Sequence, residues 1–228
     1  MKKAKGKKIN GKATRDLVLT ALFTALVAIG AFIRIPAPIV PITLQFASCL
    51  LAGLLLGSVR GGLAVTIYIV MGLIGIPVFT EGGGIFYVLK PSFGYLIGMA
   101  IGTLTCGFIA RSGKKLSYTR MVAGALAAML IVDGLGVLYM YLMYNYYLGT
   151  AMTFLKALYA GVAVFLPTDI MWCFLMSLVA YKLVPVLERA GLNGRSGVKG
   201  AVEADVKFNV AEAAPACLTE TERAQEDK

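Results

Sequence analysis

The sequence contains no histidine. That absence removes imidazole acid–base catalysis, histidine metal sites and Ser-His or Cys-His nucleophilic pairs. Cysteine is sparse: Cys49, Cys106, Cys173 and Cys217 are scattered without a Cys-x-x-Cys spacing. Three of them sit in hydrophobic runs, where a thiol usually packs as a small apolar group. No Gly-x-x-x-x-Gly-Lys-Ser/Thr string occurs, so the usual phosphate cradle of an ATPase is missing. An arginine series of the voltage-sensor kind, a selectivity-filter string and a two-fold secondary-transporter repeat are also not evident. Charged residues make up only 15% of the chain.

Apolar residues fill that space. They make up 58% of the 228 residues, with a mean hydropathy of +0.78. Soluble domains usually hold about 45–50%. A spanning helix needs roughly 20 apolar residues to cross a hydrocarbon core about 30 Å thick. The chain has room for about six such helices, so the expected fold class is an all-α integral membrane protein with six transmembrane helices. The net charge of +10 is unevenly spread: residues 1–190 hold 17 Lys/Arg against 5 Asp/Glu, and residues 191–228 hold 5 against 7. A basic excess confined to the membrane body and its short loops reads as positive-inside bias, not as nucleic-acid binding.

Residues 1–15 form a basic arm, followed by an apolar run from Leu17 to Ile35 that is too long for a typical signal-peptide core. Pro36, Pro38 and Pro41 interrupt regular helix and favour an extended connection. Further spans are expected over Thr43–Gly57, Gly61–Phe79, Ser92–Ala110, Arg120–Tyr144 and Ala160–Val184. Asn145–Tyr159 reads as an amphipathic connection, and residues 188–228 as a polar, disordered tail beyond a membrane domain at 16–187. With the N-terminus inside, the inner segments carry seven Lys/Arg in the arm, then Arg60, Arg111, Lys114, Lys115, Arg120, Lys182 and Arg189. The outer segments carry only Arg34, Lys90 and Lys156. The expected topology is N-in, C-in, in a prokaryotic plasma membrane.

That topology gathers the polar groups on the outer side. Gln45, Glu81, Lys90, Ser92, Tyr95, Asn145 and Asp169 all fall there, beside the flexible run Gly82, Gly83 and Gly84, which could approach a ligand or act as a gate. Asp169 is the sharpest signal, because a carboxylate inside a spanning stretch costs several kcal/mol unless it has a partner or a watery cavity. Each group also has a plainer reading. Gln45, Ser92 and Asp169 could cap helices, and Lys90 could snorkel to the interface. Asp133 is a second intramembrane carboxylate, free to meet a ligand or another side chain. Trp172 lies one turn from Asp169 on the same helix face and could line a pocket or face lipid. Ala21 and Ala25 form a small-xxx-small pair of the kind that lets helices approach closely in a bilayer.

Several strings occur together in order: Ile35-Pro-x-Pro-x-Val-Pro-Ile-Thr-Leu-Gln45, Leu51-Ala-Gly-Leu-Leu-Leu-Gly57, Gly72-Leu-Ile-Gly-Ile-Pro-Val-Phe79 with the glycine run, and Pro91-Ser-Phe-Gly-Tyr-Leu-Ile-Gly98. In these, residues 15–187 resemble the BioY family, the biotin-binding S components of energy-coupling-factor (ECF) transporters. The resemblance implies a six-helix S-component fold that captures biotin from outside. Uptake would be driven by a transmembrane T component and two ATPases, with no catalytic residue, metal or cofactor in this chain. It also implies that Ala21 and Ala25 pack on the T component. The ureido ring would meet polar groups of the sixth helix, and the carboxylate would meet groups near the fourth. The family usually reads Pro-Gly-Asp-x-x-Lys on the sixth helix, whereas this chain reads Pro167-Thr168-Asp169-Ile170-Met171-Trp172. Either the pocket is rebuilt around the same vitamin, or the ligand is a relative such as dethiobiotin or a lipoate-like acid. A membrane assembly factor is the alternative outside transport.

Overall fold

The computed structural model describes residues 11–35, 42–113 and 117–189. The first ten residues of the basic arm, Pro36, Pro38, Pro41, Lys114, Lys115, Cys217 and the tail from 190 onward lie outside the described residues.

The described residues form seven α-helices and one small hairpin. Helix α1 (Gly11–Phe32) leads into strands β1 (Arg34–Ile35) and β2 (Ile42–Thr43), paired antiparallel with Arg34 opposite Thr43. Helices α2 (Gln45–Leu56) and α3 (Ser58–Leu73) follow, then a 3-10 turn over Ile85–Leu89. Next come α4 (Phe93–Arg111) and α5 (Tyr118–Leu142), a π turn over Met143–Tyr147, the short α6 (Phe154–Leu158), a second π turn over Tyr159–Ala163, and α7 (Leu166–Arg189).

Among the described residues, four segments are long and apolar enough to cross a membrane: Ala13–Phe32, Phe93–Arg111, Tyr118–Tyr147 and Phe154–Leu187. Helices α2 and α3 are apolar but shorter, at 12 and 16 residues. The stretch expected to run from Gly61 to Phe79 stops as a helix at Leu73. Gly75 turns the chain with φ 113°, and Pro77 has no N–H with which to continue the ladder. The last stretch differs as well: regular helix begins only at Leu166, after a π turn, and continues through Pro185 to Arg189.

Helix α2 is buried along nearly its whole length, which is why its sequence, Gln-Phe-Ala-Ser-Cys-Leu-Leu-Ala-Gly-Leu-Leu-Leu, lacks a polar face. Around it, close helix approach rests on small residues. Gly94, Gly98 and Gly102 recur every four residues along α4 and face α5. A Cβ on Gly98 would lie 2.8 Å from the Val132 Cα, and one on Gly102 would lie 3.1 Å from the Ala128 carbonyl oxygen. This Gly-x-x-x-Gly-x-x-x-Gly seam is the small-residue packing expected where lipid offers no hydrophobic drive between helices.

The two ends of the bundle differ chemically. At one end, Arg60 pairs with Asp16 at 2.6 Å and joins α3 to α1. Nearby, Arg111 donates to the Leu55 carbonyl near the end of α2. At the other end lie the hairpin, the 74–92 segment, the two π turns and the starts of α2, α4 and α7. The site forms there.

Candidate ligand cavity

The 79–92 segment is shaped before it is functional. Phe79 and Gly82 exchange backbone hydrogen bonds at 2.9 and 3.2 Å, and the Gly84 N–H donates to the Gly72 carbonyl at 2.7 Å. Gly82 and Gly84 have φ of 110° and 108°, a region that side-chain-bearing residues avoid. Phe79, fully enclosed, then packs edge-on to Tyr68 (centroids 5.5 Å apart) and against Tyr87 (4.4 Å). Arg34 donates to the Thr80 carbonyl, and Tyr139 on α5 donates to the Val88 carbonyl, so hairpin, turn and helix are tied together. Burial pushes the Tyr87 phenol above its ordinary pKa, against the opposing effect of its hydrogen bond with Ser92. It therefore stays neutral at physiological pH.

Beneath this segment is a cavity of about 660 Å³ with its open mouth included. Thr43, Gln45 and Phe46 enter from β2 and the start of α2, and Thr80, Tyr87 and Ser92 from the overlying segment. Tyr95, Leu96 and Met99 come from α4, Val132 and Asp133 from α5, and Phe165 and Asp169 from the start of α7. Among the described residues that line it, two are acidic and none is basic.

The polar groups are unequally committed. The Tyr95 hydroxyl donates to the Gly161 carbonyl at 2.8 Å, so its only proton is used. Gln45 is 3% exposed, and its side-chain amide nitrogen is buried with no hydrogen-bond partner. Asp169 sits in the first turn of α7, where its backbone N–H donates to the Phe165 carbonyl at 2.9 Å. The partial positive charge of a helix N-terminus favours a carboxylate there by about 0.3–1 kcal/mol. Asp133, mid-helix and 6% exposed, has no such help. Among the described residues, neither carboxylate has a hydrogen bond or an ion pair.

Of the residues expected at a binding site, the fold brings Gln45, Ser92, Tyr95 and Asp169 to this cavity. Ser92 occupies the N-cap position of α4 without a side-chain cap bond. Gly82, Gly83, Gly84, Lys90, Asn145 and Trp172 are not among the lining residues. Lys90 pairs with Glu81 at 2.7 Å and lies 5.0 Å from the Tyr87 ring centre. Asn145 ties the first π turn to the following loop: its amide donates to the Tyr141 and Met152 carbonyls, each at 3.0 Å, and accepts the Met152 N–H at 3.1 Å. Trp172 is half-buried against the core, one turn along α7 from Asp169. Ala21 and Ala25 are exposed on the outward face of α1.

Sequence reading missed the apolar wall and the threonines. Met99 was accessible in principle, because it follows Tyr95 by four residues and shares its helix face. Thr43, Thr80 and Phe165 carry no such periodic signal, since each lies outside regular helix.

The BioY family model matches residues 1–189. A probable biotin transporter BioY of Lysinibacillus sphaericus is 37% identical over 179 residues, covering 78% of this chain and 91% of that protein. The biotin transporter BioY of Thermotoga maritima is 34% identical over 170 residues, covering 74% and 95%. A solved structure of the S-component for biotin from an ECF-type ABC transporter superposes with a TM-score of 0.69 at 28% identity, covering 78% of this chain and 94% of that one. Because the family model spans residues 1–189, which hold the helices, the hairpin and every lining residue of the cavity, the chain belongs to the BioY family.

Proposed function

We propose that this protein is the substrate-capture subunit of a biotin uptake system: a transport subunit and not an enzyme. The observation that carries the reading is the cavity under the 79–92 segment, lined by Gln45 and by Asp169, whose carboxylate has no partner among the described residues. A cyclic urea presents the complementary set, N–H donors and a carbonyl acceptor. Family membership and the biotin transporters among the relatives point to the same ligand. A dithiolane acid of the lipoate kind has no N–H to offer Asp169.

Charge orients the ligand. Two unit charges about 4 Å apart repel by roughly 4 kcal/mol at an effective dielectric of 20. The cavity holds two carboxylates and no cation, so biotin's own carboxylate would stay at the mouth. Ser92 lines that region, and Lys90 and Arg34 are the nearby cations, held by Glu81 and the Thr80 carbonyl. Lys90 is 39% exposed at its side chain and free to re-pair.

In the bilayer, α1, α2, α3, α4, α5 and α7 would make six crossings, with α2 and α3 completed by the segments flanking them. The described arginines Arg15, Arg60, Arg111 and Arg120 lie at the end away from the cavity, which supports an N-in, C-in orientation with the cavity facing outward. Energy would come from a T component and two ATPases, and the exposed Ala21–Ala25 face of α1 suits close helix packing against the T component.

The test is native mass spectrometry of the purified protein, followed by calorimetric titration with biotin, dethiobiotin and lipoate. Saturable biotin binding with no lipoate binding is expected. Lipoate binding, or a solitary protein that binds none of the three, would overturn the reading.

A further inference from the structure

Asp133 is a buried carboxylate without a partner among the described residues. It is 6% exposed, in the middle of α5. Buried polar groups are nearly always hydrogen-bonded, and a buried charge without a partner is strongly unfavourable. Yet no described residue donates to its carboxylate or pairs with it. Its oxygens are not among the fully enclosed unpartnered atoms, as the Gln45 amide nitrogen is, so they reach the cavity that Asp133 lines. The protein has no spare donor there in Tyr95, whose proton goes to the Gly161 carbonyl. The donor has to come from whatever occupies the cavity.

The cavity therefore presents carboxylates from α5 and α7. Two acceptors match the two N–H donors that flank the carbonyl of a cyclic urea. We propose that Asp133 is a specificity-determining ligand residue: it accepts one ureido N–H while Asp169 accepts the other. The inference rests on the biotin reading above and deepens it. Recognition then needs both urea nitrogens to carry hydrogen, and a ligand blocked at either nitrogen is rejected.

The experiment uses the full chain purified in detergent. Calorimetry with biotin is run on wild type, Asp133→Asn and Asp133→Leu, alongside thermal unfolding without ligand. Biotin methylated on one or the other ureido nitrogen provides the ligand side of a double cycle. Asp133→Asn and Asp133→Leu should weaken biotin at least about tenfold, the usual scale for losing a partner to a buried polar group. Their unfolding midpoints without ligand should be unchanged or higher, because an unpaired buried charge has gone. Methylation at either nitrogen should weaken wild-type binding at least about tenfold, and Asp133→Asn should lose the penalty at one nitrogen only. Equal biotin affinity in Asp133→Asn, tighter binding in it, or a lowered midpoint with methyl penalties unchanged would overturn the inference while leaving the biotin reading intact. Failure of wild type to bind biotin removes both.

Discussion

The Tyr95 hydroxyl donates to the Gly161 carbonyl at 2.8 Å, joining the cavity wall on α4 to the π turn that precedes α7. The same ring lies against Gly136 of α5, where a Cβ would intrude on it. One side chain therefore sets the spacing of three elements around the cavity. Tyr95→Phe keeps the ring and removes the bond, leaving a buried carbonyl unpaired at a cost of about 1–3 kcal/mol. A lower thermal unfolding midpoint in detergent is expected, with a smaller loss of biotin affinity than stability, because the hydroxyl proton is committed to the backbone. A large affinity loss at unchanged midpoint would show that the hydroxyl serves the ligand instead.

Asp169 gives the second prediction. Its carboxylate lines the cavity from the first turn of α7 and has no partner among the described residues. Asp169→Asn keeps the shape, exchanges an acceptor pair for a donor and an acceptor, and leaves α7 intact. Calorimetry should show biotin binding weakened at least roughly tenfold, with the far-UV helical signal unchanged. Unaltered affinity in purified protein would remove Asp169 from the site.

These residues also show what sequence can and cannot reveal. Asp169 was visible because charge inside an apolar run is rare and costly, and α1, α4 and α5 were visible because long apolar runs need no tertiary context. The π turn at Tyr159–Ala163, which moves the helix start to Leu166 and puts Asp169 in a first turn, has no compositional mark. Nor does the choice between Lys90 lining the cavity and Lys90 pairing with Glu81, since both sit in one loop and side-chain pairing there is decided by the Gly82–Gly84 turn. The Gly94, Gly98, Gly102 seam was written plainly in the chain, but its partner helix was not.

Lys90 leads to a prediction about the mouth. Its pair with Glu81 is half-exposed, 39% and 46% at the side chains, and such pairs contribute about 0–1 kcal/mol. Glu81→Gln should leave the unfolding midpoint nearly unchanged. Lys90→Met should slow biotin association several-fold at low salt, and the difference from wild type should shrink as ionic strength rises and the Debye length falls below about 8 Å. Stopped-flow association across a salt series reads this directly. A Lys90→Met effect that is constant with salt would mean contact loss and not steering.

The helix seam sets the last prediction. A Cβ on Gly98 would lie 2.8 Å from the Val132 Cα and 3.1 Å from its carbonyl oxygen. Both obstacles are backbone, so no rotamer change relieves them. Val132 also lines the cavity and precedes Asp133. Gly98→Leu must therefore push α5 away from α4 at the depth where the ligand's polar edge would sit. Overpacking in a close-packed interior typically costs about 1–3 kcal/mol or more, so a clearly lower unfolding midpoint and loss of biotin binding should appear together. Gly134, two residues on from Val132 and on the exposed side of α5, has nothing within 4 Å of a built Cβ, and Gly134→Ala should leave both measurements unchanged or slightly raise stability by the helix propensity of alanine. If Gly98→Leu and Gly134→Ala behave alike in thermal unfolding and calorimetry, the α4–α5 seam is not what holds the cavity wall in register.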